Sequence, residues 1–316
     1  MKRLQLFELE DQPWFPATLR DLSTDYLHFM QRALRIEGVV LPLVERVVRR
    51  TGVTEIVDLC SGGSGPVPAL LDRLAADGLP MHATLTDLYP NVDAFAQIAA
   101  RAATGGHAPI SFIEGSIDAR AVPRDVKGLR TIFNGFHHFT PTDALAILRD
   151  TVEARQPIAI FELSDRSPRN IVPVILVPIF VWLGTPFMRP FRWTRLLWTY
   201  LVPLVPLTCL WDGVVSQFRA YTVDELRALG AQAGAFNWEA GQAPMAGGRT
   251  RLTYLIGMPN PAPIDINRQS PINRQSAIHN RFGNPQSTIH SSIANRHCLQ
   301  SAVANRQSPV RSPPIH

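Results

Sequence analysis

Cysteine is scarce in this chain: 316 residues contain three, Cys60, Cys209 and Cys298, far apart and outside any C-x-x-C spacing. Neither a disulfide scaffold nor a cysteine-based structural zinc site is compatible with that pattern, and a cytoplasmic location is expected. An uninterrupted apolar run is missing from the N-terminus, where Met1-Lys-Arg-Leu-Gln-Leu-Phe-Glu-Leu-Glu10 meets acids early, so no secretory signal is expected. Acids and lysine are absent from Ile266 to His316, where six arginines stand alone. With those six removed from the 31 basic residues, 25 face 26 acids over the first 265 positions. Basic charge is therefore a property of the tail, and no nucleic-acid partner is expected. Charge of either sign is missing from 171–188 and again from 196–211, two runs separated by Arg189, Arg192 and Arg195.

At 46% hydrophobic residues the chain can bury a large core. Pro13-Trp-Phe-Pro16 reads as extended or turn-like, because proline restricts its neighbour. Helical patterns follow at 17–35 and 39–50, giving an N-terminal helical cap over 1–53. Strand-like and helix-like segments then alternate: strands at 55–59, 81–86, 110–113, 129–133 and 158–163, helices at 67–77, 92–103 and 141–154. Such alternation predicts an α/β fold, a doubly wound and mostly parallel sheet. Thr222, three residues before Glu225, predicts an N-capped helix that resumes the core fold. Two closing strands at 237–240 and 251–256, around Gly247-Gly248, bring the sheet to seven strands. The main domain is expected at 54–261, with a helical apolar insert at 170–213. The segment 262–316, with Asn-Arg-Gln-Ser repeated at 267, 273 and 305, is compositionally a low-complexity, disordered tail.

The stretch Thr54-Glu-Ile-Val-Asp-Leu-Cys-Ser-Gly-Gly-Ser-Gly-Pro66 carries the chemistry: an apolar strand ends on an acid and breaks into a glycine-rich turn before a helix. Such a turn lets a nucleotide-like ligand approach backbone. A dinucleotide would bring a pyrophosphate there, and Asp58 would repel it. S-adenosylmethionine has no phosphate and carries an ammonium and a sulfonium, which the same acid would attract.

Asp58-Leu-Cys-Ser-Gly-Gly-Ser-Gly65 resembles the first motif of class I S-adenosylmethionine-dependent methyltransferases, usually acid-x-Gly-x-Gly-x-Gly. Cys60 stands in place of the first glycine, which suggests negative φ there, and the last glycine is displaced to Gly65. The resemblance covers roughly 54–258 and implies a Rossmann-like methyltransferase fold with S-adenosyl-L-methionine as cofactor. It implies cofactor contacts at Asp58, Cys60, Gly62 and Gly63, a ribose ligand at Asp87 beside Leu88, and adenine contacts at Ile117 and Asp118. Asn134, in Asn134-Gly-Phe-His137-His138, would meet the methionine end. One of His137 and His138 would face substrate and accept a proton from a hydroxyl nucleophile; structural packing beside Phe136 and Phe139 is the alternative for either ring. Trp14, Tyr26, Gln217, Arg219 and Tyr221 are candidate substrate contacts, or else packing and capping residues.

The acceptor implied is a small apolar or lipid-like molecule. Prolines at 173, 178, 186, 203 and 206 argue against two spanning helices in the insert. An interfacial or re-entrant hairpin is more consistent, with Trp182, Trp193, Trp198 and Trp211 at headgroup depth and the arginines near anionic lipid, a peripheral contact through 171–211. An apolar lid or dimer face is the alternative. Rival functions are a nicotinamide-dependent oxidoreductase, whose G-x-G-x-x-G turn is absent, and a non-catalytic membrane adaptor on a degenerate version of the same fold.

Overall fold

The computed structural model describes residues 2–167, 173–189, 191–245, 248 and 250–260. The Asn-Arg-Gln-Ser repeats and Gly247 lie outside them.

Seven strands form one sheet: β1 (Glu55–Asp58), β2 (His82–Leu85), β3 (Ile110–Phe112), β4 (Leu129–Phe133), β5 (Ile158–Glu162), β6 (Phe236–Pro244) and β7 (Arg251–Pro259). Their order is β3-β2-β1-β4-β5-β7-β6. The first five strands pair in parallel, and β7 runs antiparallel to both β5 and β6. β1 is central: Asp58 lies level with Leu85 on one side and Thr131 on the other. The chain departs from β1 toward β2 and β3, then returns to start β4 on its other side. A crevice opens at such a reversal, outside the carboxyl ends of the strands.

Apolar faces of the helices cover both sides, as a parallel sheet requires. On one side α2 (Ile36–Thr51), α3 (Val67–Ala76) and α4 (Val92–Gly105) pack through Val44, Leu70 and Phe95 onto Ile56 and Leu85. On the other, α5 (Pro141–Ala154) and a C-terminal helix, Val223–Ala233, pack through Ile147 and Leu226 onto Val57, Ile132 and Ile160. Thr222 and Glu225 form the expected capping box. The closing strands run longer than the sequence suggests, nine residues each, because β6 and β7 satisfy one another's backbone along their whole length.

A third apolar cluster lies off the sheet. Phe15, Leu19, Leu22 and Tyr26, from α1 (Ala17–Ala33) and the turn before it, pack against Val181, Met188 and Val205 of the insert. The insert comprises α6 (Val177–Gly184), α7 (Trp193–Leu196) continuing into a wider turn to Leu201, and α8 (Leu204–Arg219). Proline breaks it as expected, and α8 meets the preceding segment at a 75° bend. Among the described residues no single helix is long and apolar enough to cross a membrane; the bent pair Trp193–Leu201 and Leu204–Arg219 passes by length and composition together.

The segment before α1 is a strap laid along α8. Leu4 N–H donates to Phe218 O at 3.0 Å, and the N–H groups of Leu9 and Glu10 donate to the two Asp212 oxygens at 2.6 and 3.1 Å.

Candidate functional site

The glycine turn leaves β1 between two neighbouring strands that hold it. Leu59 N–H donates to Thr131 O at 2.8 Å and Ser61 N–H to Thr86 O at 3.0 Å, so the chain must reverse at the residue between them. That residue, Cys60, has φ of +58°. The expectation of negative φ is therefore corrected: Cys60 adopts the left-handed conformation, at a cost of about 1–2 kcal/mol set against the two flanking hydrogen bonds. Gly62 follows at φ +53°, with nothing within 4 Å of where a side chain would begin. Gly63 is the opposite case, since a Cβ there would stand 2.0 Å from His28 Cε1. The turn is open at Gly62 and covered at Gly63 by α1.

Asp58 supports the turn from beneath. It is 2% exposed, and one carboxylate oxygen accepts the Thr131 hydroxyl at 2.6 Å. Burial, partly offset by hydrogen bonds from Thr131 and Ser61, pushes its pKa up to about 7. Asp87, at the end of β2, faces the turn. One oxygen accepts Gly62 N–H at 3.0 Å and the other accepts Tyr89 N–H at 2.9 Å. Each keeps lone-pair capacity for a further donor. Ile117 N–H donates to Asp87 O at 2.8 Å and Ser116 hydroxyl to Leu88 O at 2.7 Å, which ties the loop after β3 to the loop after β2. Asp118 is engaged by Arg120 through its Nε, Nη2 and backbone N–H, and these hydrogen bonds hold its carboxyl below the usual range. Asn134, at φ +52°, spans two strand ends: its N–H donates to Phe161 O at 2.7 Å and its Oδ1 accepts Leu163 N–H at 3.2 Å.

A cleft of about 980 Å³ opens between this turn, α1, α3 and α4. Gly62, Gly63 and Asp87 line it on the sheet side, Asp25 and His28 on the α1 side, and Arg189 and Arg192 of the insert at another edge. Of the cofactor contacts implied by resemblance, those three line the cleft, whereas Asp58, Cys60, Leu88, Ile117, Asp118 and Asn134 do not. His28 was not legible as a site residue. Burial pushes its pKa down to about 4, so it presents a neutral imidazole to the cleft.

The two histidines, of which one is expected to face substrate, lie elsewhere, beneath the N-terminal strap. His137 is 1% exposed, with Nδ1 2.6 Å from Glu162 and Nε2 3.7 Å from Glu8. His138 Nδ1 lies 2.8 Å from Asp11 and 3.4 Å from Glu8. Burial opposes its charge, but Glu8 and the Asp11 hydrogen bond outweigh burial and push its pKa up to about 9. At neutral pH His138 is a cation, which cannot accept a proton. The Arg219 guanidinium completes the cluster, donating to His138 O at 2.5 Å and to Asp11 at 2.7 Å. Nitrogen and oxygen atoms of Glu8, His137 and His138 lie within 4.8 Å of one another, a spacing compatible with a cation, and the Arg219 Nη1 3.4 Å from Glu8 already supplies positive charge there.

The expected substrate contacts divide. Trp14 is exposed at the edge of Phe15. Tyr26 is buried under the insert, Gln217 accepts Asp165 N–H at 2.9 Å, and the Tyr221 hydroxyl donates to Phe139 O at 2.8 Å. Arg219 and Tyr221 thus hold the strap and the segment 137–139 together, and none of these five lines the cleft. Two further expectations are corrected in the insert. Arg195 turns inward and pairs with Asp25 at 2.6 Å, and Trp198 packs into the α1 cluster instead of outward, because both sit on the α1-facing side of their helix.

No family model matches the chain, and no curated protein matches it. Among solved structures, it is similar to TnmH at 20% identity, with 77% of this chain and 59% of that one covered and a TM-score of 0.45. It is also similar to the plantazolicin methyltransferase BpumL, solved with SAH, at 12% identity, 80% and 94% coverage and TM-score 0.45. A third is the O-methyltransferase NcsB1 from neocarzinostatin biosynthesis, solved with S-adenosylmethionine and 2-hydroxy-5-methyl naphthoic acid, at 17% identity, 66% and 50% coverage and TM-score 0.39. The aligned part of this chain spans half the length of NcsB1. The fold rests on its own strand order: five parallel strands reversing at β1, closed by an antiparallel β7 inserted before β6, form the seven-stranded Rossmann-like methyltransferase fold.

Proposed function

We propose that the protein transfers a methyl group from S-adenosylmethionine to a small apolar or membrane-derived acceptor. One observation carries the reading: at the mouth of the cleft, the Asp87 carboxylate holds the N–H of Gly62 at 3.0 Å, where the turn leaves open space that any side chain would fill. A sugar diol suits the remaining lone pairs of Asp87, and the uncovered backbone at Gly62 suits a close-lying ligand. The turn offers no such opening at Gly63, where His28 sits.

S-adenosylmethionine, when bound, would supply an electrophilic methyl group whose bond to the sulfonium breaks as the acceptor's nucleophile takes it, leaving S-adenosylhomocysteine and releasing the acceptor's proton to solvent. Asp87 and the Gly62 backbone are the residues that would hold it. Asp58 braces the turn from below and stays out of the cleft. The chain's part in the reaction is alignment: α1 closes one side, the strand ends fix the other, and exclusion of water follows from the fit. His28 is a neutral imidazole on the cleft wall, and His138 is held as a cation by Asp11 and Glu8.

Isothermal titration with S-adenosylmethionine and with NAD tests the cofactor. Asp87→Ala removes a charged acceptor, and binding is expected to weaken about 10- to 100-fold while the fold persists. Tight NAD binding without response to S-adenosylmethionine overturns the reading. Labelled methyl transfer into lipid and polar extracts, run side by side, tests the acceptor, with label expected in the lipid fraction.

A further inference from the structure

The insert is apolar on its outside as well as its inside. On α6, Val181 and Gly184 are buried, while its N-cap Leu176 with Phe180 and Leu183, spaced four and three apart, forms an exposed stripe. On α8, Val205, Thr208 and Asp212 face inward, while Leu204, Leu207 and Trp211 form the exposed stripe. Between them Trp193 is 77% and Leu201 is 76% exposed. An apolar helix face belongs in a core or in lipid, and here the outer face of each helix is in neither. The N-terminal strap enlarges the face: Phe7 packs on Trp211 with ring centroids 5.6 Å apart, and Trp211 donates to Phe7 O at 3.1 Å.

The charge at the margin distinguishes occupants. From 171 to 211 the chain contains no acid. Of its three arginines, Arg195 is internal and paired with Asp25, Arg192 is exposed and lies 3.6 Å from the same carboxylate, and Arg189 is exposed. A two-fold contact would place this patch on its own copy, arginine margin against arginine margin, with no acid from the segment to answer it. An anionic lipid surface answers it directly. We propose that this composite face, the outer stripes of α6 and α8 with Trp193, Leu201 and Phe7, docks on an anionic membrane surface. Arg189 and Arg192 also line the cleft, so docking sets the cleft mouth at the level of the headgroups. The face lies in the interface without spanning it. The proposal does not depend on methyl transfer, because docking is read without cofactor.

Flotation of the full chain with vesicles of phosphatidylcholine alone, and of phosphatidylcholine mixed with phosphatidylglycerol, is the test. Wild-type protein is expected to float with the mixed vesicles, and Leu201→Glu with Trp193→Glu to remain at the bottom while its circular dichroism is unchanged. Arg189→Gln with Arg192→Gln is expected to weaken partition about 30-fold, from about 1 kcal/mol for each arginine. Flotation that persists in the double glutamate variant would assign binding to the arginine-bearing tail and overturn the proposal. So would absence of wild-type flotation, or a dimer in sedimentation that Trp193→Glu dissociates.

Discussion

Asp25 of α1 and Arg195 of the insert meet at 2.6 Å across 170 positions of sequence, and Arg192 approaches the same carboxylate oxygen at 3.6 Å. Arg195 is 2% exposed, so its charge is taken out of water and answered by a side chain that also lines the cleft. This pair, with the apolar cluster of Leu22, Tyr26 and Val205 beside it, fixes the insert to the helix that covers the glycine turn. Insert and glycine turn are thereby coupled through one helix.

Asp25→Ala withdraws the carboxylate from a buried guanidinium. Breaking a fully buried pair costs about 3–5 kcal/mol, and because Asp25 is partly exposed the expected loss is about 2 kcal/mol. Urea denaturation with an unchanged m value checks it; a midpoint equal to wild type would show that the pair contributes nothing net.

Raising the pH should loosen the strap. His138 has its pKa pushed up to about 9 from an ordinary 6.5, so the folded state holds this proton more tightly than the unfolded chain does. The stabilisation is complete below about pH 6.5 and disappears as pH rises through 9. Glu10, pushed by burial to about 8, and Asp212, pushed by burial to about 6, act in the same direction, since each must lose a proton that the fold favours. Asp11, held well below the usual carboxylate range by His138 and Arg219 against the effect of burial, acts only at the acid end, where stability is lost as pH falls below about 4. Hydrogen exchange of residues 2–15, corrected for intrinsic rates, should accelerate between pH 6 and 10. In His138→Gln the part due to that ring should vanish.

Arg219→Lys keeps the charge and loses the fork. The guanidinium bonds the carbonyls of His137 and His138 and the carboxylate of Asp11 from different nitrogens, and a single ammonium cannot reach all three. A loss of about 2–3 kcal/mol is expected, with faster proteolysis of the strap. Equal stability of the lysine variant would mean that charge alone holds the cluster.

What the sequence disclosed depended on distance along the chain. Alternating strands and helices announce a parallel sheet because each crossover is local, and the acid at Asp87 is legible because it directly follows an apolar strand. The same holds for Thr222 and Glu225, three residues apart. Cys60 departs from its local pattern because its φ is set by the carbonyls of Thr131 and Thr86, on strands whose pairing no local pattern reveals. His137 and His138 stay open between catalysis and packing in the sequence because Glu8, their buried partner, is more than a hundred residues away and sits in a segment without periodicity. His28 gave no local signal, since only the docking of α1 on the turn gives it a neighbour at Gly63.

That neighbour supplies a sharper test of the covered turn. A Cβ at position 63 would stand 2.0 Å from His28 Cε1, a separation no real pair of atoms adopts, so Gly63→Ala must push the ring or the helix away. Overpacking of this kind costs about 1–3 kcal/mol. If the clash with the ring is the whole cause, His28→Ala should restore most of that loss when combined with Gly63→Ala, because the truncated residue leaves the space the new methyl needs. A double-mutant cycle in urea reads the coupling, expected at about 1–2 kcal/mol in favour of the pair. Titration with S-adenosylmethionine on the same four proteins separates roles: Gly62 and Asp87 are untouched in all of them, so the double variant should bind nearly as wild type if His28 only closes the turn. Should the double variant be stable and still fail to bind, the imidazole itself contributes to the site.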